Sequence, residues 1–185
     1  MDRNGKLVII VDMQVDFTTG ALANKHATEI VKPMAQYIKQ REKEGAVVIF
    51  TRDSHTDGYM NTNEGRHLPI PHCIIGTEGH KVVQELLDAS KNKFQVNKPT
   101  FGMSQDLWRE VAYEHFYLLS DIKEIELVGT CTDICVVSNA LSLKALFPEA
   151  NVRVYGNLCA GLTEEKHNAA LEVMRSCQIE VADYE

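Results

Sequence analysis

Short, unbroken apolar runs alternate along this chain with segments of helical spacing, and that alternation restricts the fold more than any other feature. Leu7-Val-Ile-Ile-Val11 and Ala46-Val-Val-Ile-Phe-Thr51 have strand length and no polar interruption, as expected of strands covered on both faces. Further strands are expected at Phe94–Asn97, at the run containing Ile125, Leu127 and Val128, at Asn151–Tyr155 and at Gln178–Ala182. Between them, His26–Glu44 carries helical spacing in Ile30, Met34, Tyr37 and Ile38, with Gly45 as its stop. Other helices are expected at about Gly79–Ser90, from Ser104, from Thr132, and over Thr163–Ser176 behind the cap Thr163-Glu-Glu-Lys. Residues 52–78 read as a long polar loop of the kind that is usually either functional or disordered. Strand and helix in alternation imply an α/β fold. The expected architecture is a mostly parallel six-stranded sheet with helices on both faces, a Rossmann-like three-layer arrangement, in one domain spanning residues 1–185.

Composition removes several classes of function. A net charge of -7 without a Lys/Arg cluster argues against nucleic acid as a partner. No apolar run approaches the roughly 20 residues that span a bilayer, so no membrane partner is expected. Met1-Asp-Arg-Asn-Gly5 leads straight toward the first strand, so no cleavable leader is expected. The five cysteines, Cys73, Cys131, Cys135, Cys159 and Cys177, are odd in number and scattered, unlike a disulfide framework. Reduced thiols and a cytoplasmic location are the expectation.

In open α/β sheets, ligands bind beyond the carboxyl ends of the strands. Asp12 follows the first strand, Asp53 and His55 the second, Lys98 the third and Cys135 the fourth. Cys135 lies in the first turn of a helix just past Gly129-Thr130, where free N–H groups and the helix dipole favour a thiolate. A lone cysteine is more often buried and inert, a lone loop lysine a solvated charge, and an Asp at a strand end a cap. Together they make a nucleophile that needs no histidine. Asp12 can take the thiol proton and pass it to a leaving amine, and Lys98 favours the charged sulfur. Cys131 is expected to contribute backbone rather than a second thiolate.

Asp53 and His55 are two residues apart and point the same way on extended chain. The loop adds Glu64, His67 and His72. Imidazole with carboxylate suits one divalent metal ion, zinc first, with iron or manganese as alternatives; spacing alone does not separate His67 from His72. Phe17, Tyr59, Phe101 and Met103 are candidates to line a pocket for a flat substrate, with Phe17 and Phe101 favoured because they adjoin the proposed catalytic residues.

These blocks, in this order, resemble the isochorismatase-like cysteine hydrolases and, within them, the nicotinamidases. The resemblance spans essentially the whole chain. It rests on Val11-Asp-Met-Gln-Val-Asp-Phe17, Thr51-Arg-Asp-Ser-His55, Pro71-His-Cys-Ile-Ile-Gly-Thr-Glu-Gly79, Lys98-Pro-Thr-Phe-Gly102 and Gly129-Thr-Cys-Thr-Asp-Ile-Cys135. It implies that Asp12, Lys98 and Cys135 form a catalytic triad and that Asp53, His55 and His72 bind metal, with Glu64 as a further carboxylate ligand. It implies a cis peptide joining Thr130 to Cys131, an oxyanion hole from the N–H groups of Cys131 and Cys135, and Thr130 at the substrate. Leu68-Pro-Ile-Pro-His72 departs from the tryptophan that many nicotinamidases carry there, which implies an aliphatic wall opposite Phe17.

The implied activity is hydrolysis of nicotinamide to nicotinate and ammonia through a Cys135 thioester, by a homo-oligomer acting on a small-molecule amide. A relative acting on pyrazinamide or a ureido or carbamoyl compound keeps the triad. A vinyl-ether hydrolase would need neither the metal nor the cysteine, and a non-catalytic thiol-based binding or redox sensor would need no converging lysine and carboxylate.

Overall fold

The computed structural model describes residues 5–115 and 122–185. Most of the leader-free reading, residues 1–4, lies outside the described residues. The elements in chain order are β1 (Lys6–Val11), α1 (Val15–Thr18), α2 (Lys25–Glu29), α3 (Val31–Lys43), β2 (Val47–Asp53), α4 (Asn63–His67), α5 (Gln84–Ala89), β3 (Phe94–Lys98), α6 (Gln105–His115), β4 (Glu124–Thr130), α7 (Val137–Leu146), β5 (Asn151–Ala160), α8 (Glu164–Ser176) and β6 (Glu180–Ala182). The strands form one sheet in the order β3-β2-β1-β4-β5-β6, and every adjacent pair is parallel.

The apolar runs divide by alternation into two cores. Leu7, Ile9, Val11, Val47 and Ile49 face a layer containing Trp108 of α6, Ala140 and Leu143 of α7, and Leu171 and Met174 of α8. Val8, Ile10, Val48 and Phe50 face Met34, Tyr37 and Ile38 of α3 and Leu86 of α5. A strand between two apolar layers needs no polar face, which is why these segments read as continuous hydrophobic runs. Among the described residues no helix is long and apolar enough to cross a membrane.

Four elements differ from the sequence-based expectation. The helix expected over His26–Glu44 is two helices meeting at Ile30, because Pro33 has no N–H to give the carbonyl four residues back. The helix expected from Gly79 begins only at Gln84. Residues before it run extended against the segment after β1, with Val15 N–H donating to Lys81 C=O and Val83 N–H to Met13 C=O. The long polar loop contains a single 3-10 turn, Tyr59–Asn61, and α4, whose N-cap Thr62 accepts from Gly65 N–H at 2.9 Å. β5 runs five residues beyond the expected Tyr155, past a register shift, so that Gly129 and Thr130 pair with Cys159 and Ala160.

Gly129 sits at φ 129°, and a Cβ there would overlap the carbonyl of Val11. Only glycine lets β1 and β4 approach so closely at their carboxyl ends. That approach brings Asp12 beside the turn that carries the cysteines.

Candidate active site

Asp12 leaves the end of β1 with φ 47°, a conformation aspartate tolerates better than most residues. Thr51 of β2 holds it from the side: the Thr51 hydroxyl donates to Asp12 Oδ1 at 2.7 Å and accepts from Asp12 N–H at 3.2 Å. Lys98, the last residue of β3, is fully buried and places Nζ 2.6 Å from Asp12 Oδ2 and 3.5 Å from Cys135 Sγ. The same ammonium donates to Thr100 C=O at 3.1 Å and lies 3.7 Å from Asp53 Oδ1. Cys135 is 5% exposed, in the π-turn Thr132–Val136 that joins β4 to α7. Asp12, Lys98 and Cys135, widely separated in sequence, therefore meet as expected.

The peptide between Thr130 and Cys131 is cis. In the turn that follows, Cys131 C=O accepts from Ile134 N–H at 3.1 Å and Val136 N–H at 3.0 Å.

The thiolate expected at rest is not what this environment favours. Burial pushes the Cys135 thiol well up, the Asp12 carboxylate adds to this, and Lys98 only partly opposes it. Burial also raises Asp12, against the pull of Lys98, which makes its carboxylate a stronger base. Lys98 stays charged: burial works against it, but Asp12, Cys135 and Asp53 raise it on balance. The arrangement sets the Cys135 thiol, disfavoured as a thiolate by burial and by Asp12, beside a carboxylate and an ammonium close enough to exchange a proton with it.

Asp53, His55, Glu64 and His72 form a second cluster touching the first, with one potential ligand atom from each, all within 4.8 Å of one another. Asp53 Oδ2 is 3.0 Å from His55 Nε2 and 3.4 Å from His72 Nε2, and Glu64 Oε1 is 3.6 Å and 3.9 Å from the same nitrogens. His72 Nδ1 hydrogen-bonds Ile70 C=O at 2.8 Å, which directs Nε2 to the cluster. Burial opposes ionisation of Asp53, but hydrogen bonds from His55 and His72 and the charge of Lys98 hold it below the usual carboxylate range. Two imidazoles and two carboxylates on a common centre fit a divalent transition metal.

His67, which the spacing could not separate from His72, is outside this cluster. Its Nδ1 bonds Asn63 C=O within α4 at 2.8 Å, and its ring instead lines the adjoining cleft. That cleft, of about 540 Å³, is bounded by His55, Thr62, Asn63, Glu64, His67, Pro99, Thr100 and Phe101.

The expected pocket residues divide. Phe101 is 46% exposed on the cleft wall. Phe17 is buried with its ring edge-on to His72 at 5.7 Å. Tyr59 stands 4.6 Å from the His55 ring and 5.0 Å from His72. Met103 belongs to the core, as does Trp108. Thr130 is fully buried and turns its hydroxyl to Ala160 C=O at 3.1 Å, so its side chain lies inside the sheet.

Sequence reading missed Thr51 and Asn139. Asn139, fully buried in α7, accepts from Met103 N–H at 2.9 Å and donates to Phe101 C=O at 3.1 Å and Cys135 C=O at 2.8 Å. It ties the loop after Lys98 to the cysteine turn. An asparagine one turn beyond Cys135 was the only available signal.

A model of the isochorismatase domain matches residues 6–185. The chain is 28% identical to the nicotinamidase/pyrazinamidase of Mycobacterium tuberculosis, over 95% of this chain and 97% of that protein. It is 31% identical to nicotinamidase 1 of Arabidopsis thaliana, over 83% of this chain and 68% of the relative. The crystal structure of nicotinamidase PncA from Bacillus subtilis superposes with TM-score 0.79 at 27% identity, covering 97% of this chain and 99% of that one. That of Pyrococcus horikoshii pyrazinamidase in complex with zinc gives 0.76 at 26% identity, with the same coverage. Parallel sheet, strand-end thiol and the matching domain define an α/β hydrolytic enzyme of the amidase type. The chain belongs to the isochorismatase family.

Proposed function

We propose that this chain hydrolyses nicotinamide to nicotinate and ammonia, with Cys135 as nucleophile, Asp12 as proton carrier and Lys98 as the cation that organises both. The observation that carries this reading is one buried ammonium within 3.5 Å of both the Cys135 sulfur and the Asp12 carboxylate, at the edge of a two-histidine, two-carboxylate cluster.

As Cys135 Sγ attacks the amide carbon, its proton passes to Asp12 and the carbonyl electron pair moves onto oxygen. The N–H groups of Cys131 and Cys135 receive that oxyanion; losing one such donor typically costs about 3–4 kcal/mol. The intermediate collapses as Asp12 gives its proton to the departing nitrogen, leaving ammonia and a thioester. Water then attacks the thioester, Asp12 takes its proton, and the C–S bond breaks to release nicotinate and restore the thiol. Lys98 keeps its charge throughout and offsets the negative charge that moves between carboxylate and sulfur.

Asp53, His55, Glu64 and His72 are the residues that would hold a divalent ion, zinc first. Such an ion would supply a Lewis-acid anchor for a ring nitrogen. Phe101 on the cleft wall offers a face to a flat heterocycle, and Phe17 backs His72 behind it, so pyrazinamide, named with nicotinamide for the M. tuberculosis relative, is the first alternative substrate. Residues 1–185 are proposed to act as one hydrolase domain, in a cytoplasmic homo-oligomer. All five cysteines are free, as a reducing compartment would leave them.

Ammonia release from nicotinamide, pyrazinamide and an aliphatic amide tests the reading. Wild-type protein should release ammonia from the two heterocyclic amides, and Cys135→Ala should lower turnover by at least about 10⁴-fold while still binding substrate. Turnover surviving in Cys135→Ala would exclude the covalent route.

A further inference from the structure

Of the side chains proposed to hold the metal, Glu64 comes from α4 and the other three arrive on two separate segments, Asp53 and His55 at the end of β2 and His72 beyond α4. Strand pairing braces neither on the side facing β1. β1 pairs with β2 only as far as Ile10 opposite Phe50. Past Val11 the chain swings off the sheet at Asp12, so the backbone of Asp53 loses its neighbour on that side.

The side chain of Gln14 takes the place of the missing strand. Its Oε1 accepts from Asp53 N–H at 2.7 Å, and its Nε2 donates to Asp53 C=O at 2.9 Å and to His80 C=O at 3.0 Å. One donor and two acceptors around the amide fix its orientation. Gln14 is fully buried, so these bonds have no competition from solvent.

Two residues further on, Asp16 does the same for the other segment. Its Oδ2 accepts from Cys73 N–H, next to His72, at 2.7 Å, and its Oδ1 from Ala21 N–H at 2.9 Å. A Cβ at Gly20 or Gly79 would overlap that carboxylate, so the chain closes tightly around it. The carbonyl of Cys73 in turn accepts from His55 N–H at 3.0 Å, joining the two ligand segments.

We propose that Gln14 and Asp16 are positioning residues for a divalent-metal site, which set the spacing of Asp53, His55 and His72 from the same short segment that supplies Asp12. This inference rests on the metal-site reading above. It goes beyond it in assigning the site's geometry to two residues that touch neither metal nor substrate.

Zinc affinity, measured by competition with a chromophoric chelator, tests it without reference to turnover. Gln14→Met removes all three bonds at similar volume, and Asp16→Asn is isosteric; each carries the test if the other fails to fold. Each should weaken zinc binding by roughly 10- to 100-fold, the range for lost outer-sphere partners of metal ligands. Tyr37→Phe is the control: it loses the 2.6 Å bond to Glu126, away from the cluster. It should lower the melting temperature and leave zinc affinity unchanged. Unchanged affinity in both positioning variants, or an equal loss in Tyr37→Phe, overturns the proposal. A wild-type protein that takes up no zinc overturns the metal-site reading as well, which is a separate and recognisable result.

Discussion

The sheet carries two buried charge clusters, one centred on the Lys98 ammonium at the strand ends and one on the Glu126 carboxylate in β4, and they differ in the sign of the buried charge at their centre. Glu126 is 1% exposed, and its carboxylate receives the Tyr37 hydroxyl at 2.6 Å, Arg41 Nε at 2.7 Å and the Tyr155 hydroxyl at 3.4 Å. Lys6 and Arg153 stand 3.6 Å and 3.7 Å away. The Arg41 guanidinium also lies over the rings of Tyr37, Tyr155 and Tyr184 at 5.1, 5.6 and 5.1 Å. One anion is thus surrounded by cations and donors, with no chemistry left to do. Around Lys98 the proportions reverse: one ammonium serves Asp12, Asp53 and a thiol, with Glu64 close by. A saturated network rigidifies a core. A cluster short of positive charge can accept a proton or a divalent ion, and that shortage is what makes it a site.

The contrast is open to breakage at both ends. Lys98→Met should cost the most, lowering turnover by about 10³-fold, because the thiol and Asp12 lose the cation that orders their proton transfer. A loss under tenfold, read from steady-state ammonia release, would mean the ammonium is structural. Glu126→Gln should do the reverse, costing about 3 kcal/mol of stability by uncoupling a buried ion pair with turnover near wild type; urea denaturation and kinetics on one preparation separate the two. Zinc at a hundredfold excess over its Kd should raise stability by about 2.7 kcal/mol. Chelator, or His72→Ala, should remove that increment, as thermal melts would show.

The smallest effect lies on the rim of the Glu126 cluster. Glu180 is held below the usual carboxylate range, chiefly by its hydrogen bond from Arg153 at 2.8 Å. Its folded pKa being lower than its unfolded one, its contribution is present above the unfolded value of about 4.3 and disappears as pH falls through the folded value. Because the side chain is 43% exposed, Glu180→Gln should cost only about 0.5 kcal/mol at neutral pH and less as the pH is lowered into the acid range. Denaturation midpoints at neutral and acid pH test this.

How far sequence reading reached depended on the range of each interaction. Leu7–Val11 and Val47–Phe50 announce their strands because burial on both faces leaves no position for a polar residue. Cys135 and Asp12 stand out because a strand end is a local feature. Gln14, Asp16, Thr51 and Asn139 are different: each acts by a side-chain hydrogen bond to a segment that only folding brings near. Polar residues of these types are common in loops for many reasons. The break at Ile30 was within reach, since Pro33 was visible, but the apolar spacing continued through it. The late start of the expected helix, at Gln84, was not, because Lys81–Val83 instead pair with Met13–Val15, a segment distant in sequence. His67 and His72 could be told apart only by geometry, one ring bonded within α4 and the other aimed at Asp53.

The distribution of the five thiols has a practical consequence for anyone probing this enzyme with electrophiles. Cys177 alone is exposed, at the end of α8, while the other four are buried, and Cys131 and Cys159 are pushed up to about 11 and about 12. A bulky maleimide will therefore report on a surface position that has nothing to do with turnover. A warhead small and flat enough to enter from the Phe101 side, used on a Cys177→Ser background, is the reagent whose stoichiometry would count working nucleophiles.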